Sequence, residues 1–429
     1  MRPSLESIAV AAATTALVLA PSQGRPDTPA AAVTLQHARI AGAGVDPEPG
    51  GALGRVTARP AGARGSVVVA VVDTGVELSH PALRNRLWTN ASEIAGNGRD
   101  DDRNGIADDV HGADFVAGSG SPVDDVGHGT HVAGIVAGSE TARIMPLKVT
   151  SGPWVSFQAV AAAIRYAADH GARIVNLSWE SRARDQGVED AIGYALERDV
   201  LVVAAAGNGR ADNDLFPDYP ASYPGAAILS VAATCDEASL APFSNYGKLG
   251  VDLAAPGCAI ESAYRGGLAR QTGTSMAAAA VSRAAATLST ARPGATARDL
   301  QRALLDGSRR LDRLDAAVLA GGVLDEPGAL SALAAPPDRE PPPPFAQLSP
   351  PRRFSAVRSP TTYYQEITFS WRPSSDRSLS GYRLELDGTP VRGSGARATS
   401  VTMRVAPGDH SWSVVAFDRA GNERVARGD

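Results

Sequence analysis

The sequence predicts an α/β domain with a mainly parallel central sheet flanked by helices, followed by a small all-β sandwich. Three observations carry that prediction. Several apolar runs, each closed by small or polar residues, read as strands buried on both faces. Helical patterns lie between several of these runs, the alternation that builds a parallel sheet. Beyond a proline-rich stretch, "APPDREPPPPF" (Ala335–Phe345), apolar and polar residues alternate in short segments separated by turn residues.

In chain order, "MRPSLESIAVAAATTALVLAPSQG" opens the protein. A short polar piece carrying Arg2 precedes an apolar run from Ile8 to Ala20, too short to span a bilayer comfortably but suited to an export signal, so residues 1–21 are expected to be a signal peptide. Residues 22–65 are rich in Ala, Gly, Pro and Arg without a steady period and read as an extended lead-in or short pro-segment. The predicted strands are "SVVVAVVDTG" (Ser66–Gly75), "ARIMPLKV" (Ala142–Val149), "ARIVNLSW" (Ala172–Trp179), "VLVVAAAGN" (Val200–Asn208) and "AAILSVAAT" (Ala226–Thr234). "FQAVAAAIRYAADHG", stopped by Gly171, and "VEDAIGYALERD" read as helices. Residues 66–334 form the expected α/β domain, 335–345 a stiff linker and 346–429 the sandwich.

Composition narrows the function classes. Hydrophobic residues make up 44% of the 429 residues, ample for a large core, while aromatics are only 5%, which favours close helix-on-sheet packing. The net charge of −5 and the lack of a long basic run give no reason to expect a nucleic-acid partner. Cys235 and Cys258 are an even count in a chain with an export signal, and both a disulfide and two buried thiols fit the sequence.

In parallel sheets, ligands gather at the carboxyl ends of the strands, and four residues there or at helix starts have chemistry to offer. Asp73 ends the first buried strand; alone it reads as a turn cap, but a half-buried carboxylate there can also orient an imidazole. His128, in "GHGTHVAG", opens a helical pattern. With His131 it lacks the HExxH spacing and further ligands of a zinc site. Ser275, in "QTGTSMAAAAVSRAAATL", stands at the start of an Ala-rich helix. It reads either as a helix cap or as a nucleophile whose surrounding N–H groups favour negative charge. Asn208, in "AAAGNG", can offer its side-chain amide to an oxyanion or simply sit in an Asn-Gly turn.

Together these motifs resemble the subtilisin-like serine proteases, the subtilases. "VVDTGVELSHPAL", "GHGTHVAG" and "GTSMA" are similar to that family's three active-site motifs, in the chain order Asp, His, Ser, and "AAAGN" to its oxyanion-asparagine motif. "IVNLSW" (Ile174–Trp179) resembles its substrate-binding strand and "YPASYP" (Tyr219–Pro224) its substrate-pocket segment. The resemblance implies a secreted or cell-surface serine endopeptidase acting on proteins or peptides, monomeric, with no cofactor needed for chemistry. Ser275 would be the nucleophile, His128 the general base and acid, and Asp73 its orienting partner. Asn208 and the Ser275 backbone N–H would form the oxyanion hole, while Ser178, Trp179, Glu180 and Gly207 would bind substrate. His131 is then expected to make a structural hydrogen bond within its own helix region.

Three departures from the family pattern stand out. Ala279 and Ala280 replace a usual proline and its neighbour after "GTSMA"; alanine suits a helix, but a shifted helix start would slow catalysis. Glu180 and Ser181 stand where glycines usually follow the substrate strand, so Glu180 is expected to narrow the cleft or to favour basic residues. The lead-in is also short for a self-folding propeptide. Together the first two leave a catalytically weak binding or scaffold protein as the alternative reading. In "GNGRDDDRNGIADDVHG", Asp100, Asp102 and Asn104 alternate before Gly105 like the first half of a calcium loop, though His111 stands where the last carboxylate ligand belongs. A structural calcium and a solvated acidic turn both fit. Finally, "GDHSWSVVAFDRAGN" (Gly408–Asn422) resembles the closing strands of fibronectin type III-like modules, which serve as spacers or contact carbohydrate or cell wall.

Overall fold

The computed structural model describes residues 37–40, 43–46, 66–223, 228–236, 239–336, 339–357, 364–376, 379–418 and 422–426. The expected signal peptide and most of the lead-in lie outside these residues. Two lead-in pieces are strands, β1 (His37–Ile40) and β2 (Ala43–Asp46).

The α/β part follows as β3 (Val67–Asp73), β4 (Ala113–Asp114), α1 (His128–Val136), β5 (Ala142–Lys148), β6 (Trp154–Ser156), α2 (Phe157–Asp169), β7 (Ile174–Leu177), β8 (Trp179–Glu180), α3 (Gln186–Glu197), β9 (Leu201–Ala205) and β10 (Ile228–Thr234). It continues through β11 (Leu253–Pro256), β12 (Ile260–Tyr264), β13 (Gly267–Thr272), α4 (Thr274–Ala291), α5 (Ala297–Asp306), β14 (Arg309–Arg310), β15 (Gly322–Val323) and α6 (Glu326–Ala334). A nine-stranded sheet runs in the order β14-β15-β11-β10-β9-β7-β3-β5-β4. Its neighbours are parallel except at the β14–β15 edge. Side chains alternate along a strand, so β3 feeds both faces: Val69 and Val71 join the core with α1 and α4, while Ala70 and Val72 join the core with α2 and α3. All five strand runs read from the sequence are strands of this sheet, and both sequence-read helices are present as α2 and α3.

Two small antiparallel sheets flank the carboxyl end of the large one. One has the order β6-β1-β8 and the other β12-β13-β2. The lead-in strands thus pair with edges of the α/β domain: Arg39 is opposite both Trp154 and Glu180, and Val45 is opposite Gln271. Cys235 and Cys258 form a disulfide that ties the end of β10 to the loop after β11.

The C-terminal part is two antiparallel sheets. The first contains β16 (Gln347–Ser349), β18 (Gln365–Trp371) and β21 (Ser400–Val405). The second contains β17 (Arg353–Ala356), β19 (Leu379–Leu386), β20 (Thr389–Gly395), β22 (Gly408–Asp418) and β23 (Glu423–Val425). This part follows the proline-rich linker expected over residues 335–345. It packs directly on the α/β part, because Lys248 is buried between them: its Nζ donates to the Val318 and Leu319 carbonyls at 3.0 and 2.9 Å while its stem lies against Gly381 and Gly393.

Candidate active site

Asp73 leaves the sheet at the end of β3 with no exposed surface. Its Oδ1 accepts from His128 Nδ1 at 2.8 Å and from the Thr74 N–H at 2.7 Å. A carboxylate can only accept, so Nδ1 carries a proton, and in the neutral imidazole Nε2 is then the lone-pair nitrogen. That Nε2 is buried and has no hydrogen-bond partner among the described residues.

Asp124, which the sequence reading passed over, fixes this pair in place. Its Oδ1 accepts from Val126 N, Gly127 N and Thr74 Oγ1 at 2.8–2.9 Å. Its Oδ2 accepts from the N–H and hydroxyl of Thr130, at 2.9 and 2.6 Å. One carboxylate therefore locks the first turn of α1 to the turn after β3. An Asp whose side chain can reach N–H groups two and three residues on is a legible signal, since it forms a local side-chain turn.

His131, one turn along α1, does something different. Its Nε2 lies 2.9 Å from the Ile260 carbonyl and 3.1 Å from the Ala269 carbonyl, so it bonds to β12 and β13 and not within its own helix region, as the sequence suggested. Burial pushes its pKa down to about 4, the nearby His128 adding to the shift, so it is neutral at pH 7. It pins the β12–β13 hairpin to α1.

Ser275 lies fully buried in the first turn of α4, where the helix dipole favours negative charge. Its hydroxyl donates to the Ser178 carbonyl at 3.2 Å and forms no hydrogen bond with His128 Nε2 in this structure. A polar thread supports it from below: Ser282 Oγ to Asn176 Oδ1 at 2.9 Å, Asn176 Nδ2 to Ser178 Oγ at 2.8 Å, and Ser178 Oγ to the Ser275 carbonyl at 3.2 Å. The helix begins at Thr274 despite the Ala279–Ala280 departure. Asn208 follows β9 and accepts on Oδ1 from the N–H and hydroxyl of Thr274, at 3.0 and 3.2 Å. Holding the oxygen this way leaves the amide Nδ2 unused; it is buried and without a partner among the described residues. A hydroxyl, an imidazole on a carboxylate and an unused amide donor on the same structural frame are the parts of an acyl-transfer site.

The remaining sequence-derived residues divide. Ser178 is part of the polar thread. Trp179 offers only its backbone to the β8 edge, because its indole is fully buried against Phe157. Glu180 turns toward Asn208, whose N–H donates to Glu180 Oε2 at 2.6 Å, and Gly207 lies beside both.

In the acidic loop, both Asp100 oxygens and Asp102 Oδ1 accept from backbone N–H groups of Asn104 and Gly105. Asn104 turns its amide N–H₂ toward Asp102 and Asp109. Ligand atoms of Glu93, Asp100 and Asp102, and of Asp102, Asp109 and His170, converge within 4.8 Å of one another. Burial pushes the Asp102 carboxyl up, but hydrogen bonds from Asn90 and the Asn104 backbone, with the nearby His170, outweigh it and hold it below the usual carboxylate range. Glu93, Asp109 and His170 come from outside the spacing template and were invisible to it. An oxygen-rich set of this kind fits a hard cation such as calcium.

Comparison with known proteins agrees with this frame. A family model described as the subtilase family, peptidase S8, matches residues 64–322, more than half of the chain. Thermitase of Thermoactinomyces vulgaris is 36% identical over 225 residues, spanning 49% of this chain and 70% of that protein. Subtilisin Savinase of Lederbergia lenta is 36% identical over 251 residues, spanning 54% of this chain and 81% of that protein. Among solved structures, the crystal structure of a lanthipeptide protease superposes with a TM-score of 0.53 at 21% identity, covering 62% of this chain and 88% of that one, a likeness of fold.

Proposed function

The chain belongs to the subtilase family and is a serine-type endopeptidase whose catalysis needs no cofactor, and from that premise we propose that its chemistry runs through Asp73, His128 and Ser275. Ser275 Oγ attacks a peptide carbonyl as His128 Nε2 takes its proton. Asp73 keeps the imidazole in the right tautomer and stabilises the imidazolium. The tetrahedral oxyanion is held by Asn208 Nδ2 and the Ser275 N–H; its collapse expels the leaving amine, protonated by His128. Water then hydrolyses the acyl-enzyme by the same route.

The observation that carries this reading is the buried 2.8 Å bond between Asp73 and His128 with Nε2 left unused. The reading requires the Ser275 hydroxyl to leave the Ser178 carbonyl for that nitrogen, a tightening common when substrate arrives. Ser275→Ala is expected to cut hydrolysis of a denatured protein by about 10⁴-fold or more and to abolish labelling by a fluorophosphonate probe. Undiminished hydrolysis would overturn the assignment.

The same proposal gives the lead-in a role. β1 completes a sheet between β6 and β8, and β2 extends β13, so the lead-in lies along edges that would pair with an extended peptide, as a pro-segment would. With the export signal expected over residues 1–21, the enzyme is secreted or held at the cell surface. Among the described residues no helix is long and apolar enough to cross a membrane. The two antiparallel sheets after residue 346 support the fibronectin type III-like reading of that part. A calcium ion would be held by the all-carboxylate group of Glu93, Asp100 and Asp102 and would act on stability. Its presence should raise the thermal midpoint relative to chelator by several degrees. Equal midpoints would remove calcium from the reading.

A further inference from the structure

Two acids that the proposed reaction does not use meet beside Gly207. A Cβ at Gly207 would stand 2.9 Å from Glu180 Oε2 and 3.0 Å from Asp218 Oδ2. Gly207 has φ of +108°, in the left-handed region, and that Cβ would also lie 2.3 Å from Asn245 Nδ2. This position therefore calls for glycine, and both carboxylates border the place a side chain there would take.

The acids come from neighbouring segments fixed to one another: Ser181 and Tyr219 exchange backbone hydrogen bonds at 2.8 and 2.7 Å. Asp218 is 4% exposed. Its Oδ2 accepts from Asn245 Nδ2 at 3.1 Å and pairs with Arg182 Nε at 3.4 Å. Its Oδ1 is buried and has no hydrogen-bond partner among the described residues. Such an atom costs free energy unless a ligand satisfies it. Arg182 is about half exposed and also donates to the Phe216 carbonyl at 2.6 Å, so it neutralises Asp218 only in part. One half-exposed guanidinium thus pairs with Asp218 while Glu180 stands close by.

The place of these acids relative to the reaction follows from β8. Ser178, just before β8, carries the carbonyl bonded by Ser275 Oγ, and β8 pairs antiparallel with the lead-in strand β1. A peptide paired in the same way brings its reacting carbonyl to Ser275 and Asn208. Glu180 Oε2 already accepts from the Asn208 N–H at 2.6 Å, so its carboxylate lies next to where the oxyanion would develop. A negative charge there opposes the developing oxyanion, and a cation on the substrate offsets it.

We propose that Glu180 and Asp218 form an acidic subsite for a lysine or arginine side chain on the residue whose carbonyl is attacked, so that the enzyme cleaves after basic residues. This rests on the proteolytic reading above. An apolar side chain leaves the buried Asp218 oxygen unsatisfied, and an acidic one meets like charge, so discrimination comes from both attraction and exclusion. Because the cation also offsets charge near the oxyanion, the preference should appear in kcat as well as in KM.

The test uses the full chain and five peptides that differ only at this residue: Arg, Lys, Ala, Phe or Glu. Arg and Lys should exceed Ala and Phe in kcat/KM by at least about tenfold, with Glu the poorest. Glu180→Gln and Asp218→Asn should each lower the Arg-to-Ala ratio several-fold, and Arg182→Ala, which removes the competing cation, should raise it. Fluorophosphonate labelling reports that each variant keeps a folded site. An Ala or Phe peptide cleaved as well as Arg, or an unchanged ratio in both carboxamide variants that still label, overturns the subsite. Labelling without cleavage of any of the five also overturns it, while leaving the activated serine standing. Failure of the wild type to label overturns the proteolytic reading itself.

Discussion

The α/β core on the α1 and α4 side of the sheet and the core of the C-terminal sandwich are built from opposite materials. The buried cluster between the sheet and helices α1 and α4 holds only aliphatic side chains and methionine, and along α4 it is mostly alanine. The sandwich core is centred on Phe345, Phe369, Trp371, Tyr382 and Trp412, with ring centroids of neighbouring pairs 4.9–5.5 Å apart. Small side chains let a helix lie close to a sheet over its whole length, which brings the start of α4 up to Asn208 and Ser178. Large rings let a small two-sheet body close its interior with few residues, each carrying a large share of the packing. The contrast implies different vulnerabilities: one large side chain is decisive in the sandwich, whereas under α1 and α4 the load is spread over many small contacts.

Trp412→Ala is the strongest way to break that comparison. The indole is 2% exposed, and its Nε1 donates to the Pro350 carbonyl at 3.0 Å. Its loss should cost the sandwich about 3–5 kcal/mol, comparable to the whole stability of a small domain. Hydrogen exchange should show protection lost across β16–β23 while β3, β7 and β9 keep theirs. Equal loss in both parts would mean that they unfold as one body and that the contrast in materials carries no difference in behaviour.

How much of this was legible in the sequence divides along the same line. The buried strands announced themselves because a parallel strand covered on both faces must be apolar throughout, and the Asp, His and Ser motifs sit where such strands and helices end. The side-chain directions were not legible. Trp179 reads as part of a binding edge, yet only its backbone serves there, since its indole fills the core under α2. His131 finds its partners in β12 and β13, some 130 residues further on, which no local pattern encodes. Asp218 reads as a loop acid before "YPASYP" and becomes significant only when the chain brings Glu180 alongside it. The seating of the sandwich was hidden for a related reason: a lysine reads as surface, so Lys248 gave no sign that it would be buried between the two parts.

That seating offers the smaller but sharper test. Lys248 Nζ donates to two carbonyls of the α/β part and lies 6.0 Å from the Phe417 ring of the sandwich. Arg392 pairs with Asp212 at 3.2 Å, Arg397 with Asp312 at 3.0 Å, and Arg310 donates to the Leu379 carbonyl at 2.9 Å. The exposed pairs add little by themselves, so the fit around Lys248 decides the contact. At Gly393 a Cβ would stand 2.7 Å from Lys248 Cβ, 2.8 Å from Leu249 Cγ and 3.0 Å from Asp214 Oδ2. Gly393→Val therefore forces β20 away from the α/β part, at a cost of about 1–3 kcal/mol. The consequence should reach the active site. Asp214 Oδ1 holds the Leu249 and Gly250 N–H groups, and Asn245 holds Gly209 and Ala211 just after Asn208. Calorimetry should resolve one transition into two, and kcat on a peptide substrate should fall several-fold as the Asn208 loop loosens, with KM changing less. A single transition at the original midpoint would show that the sandwich is only tethered, and that the loop bearing Asn208 is stable without it.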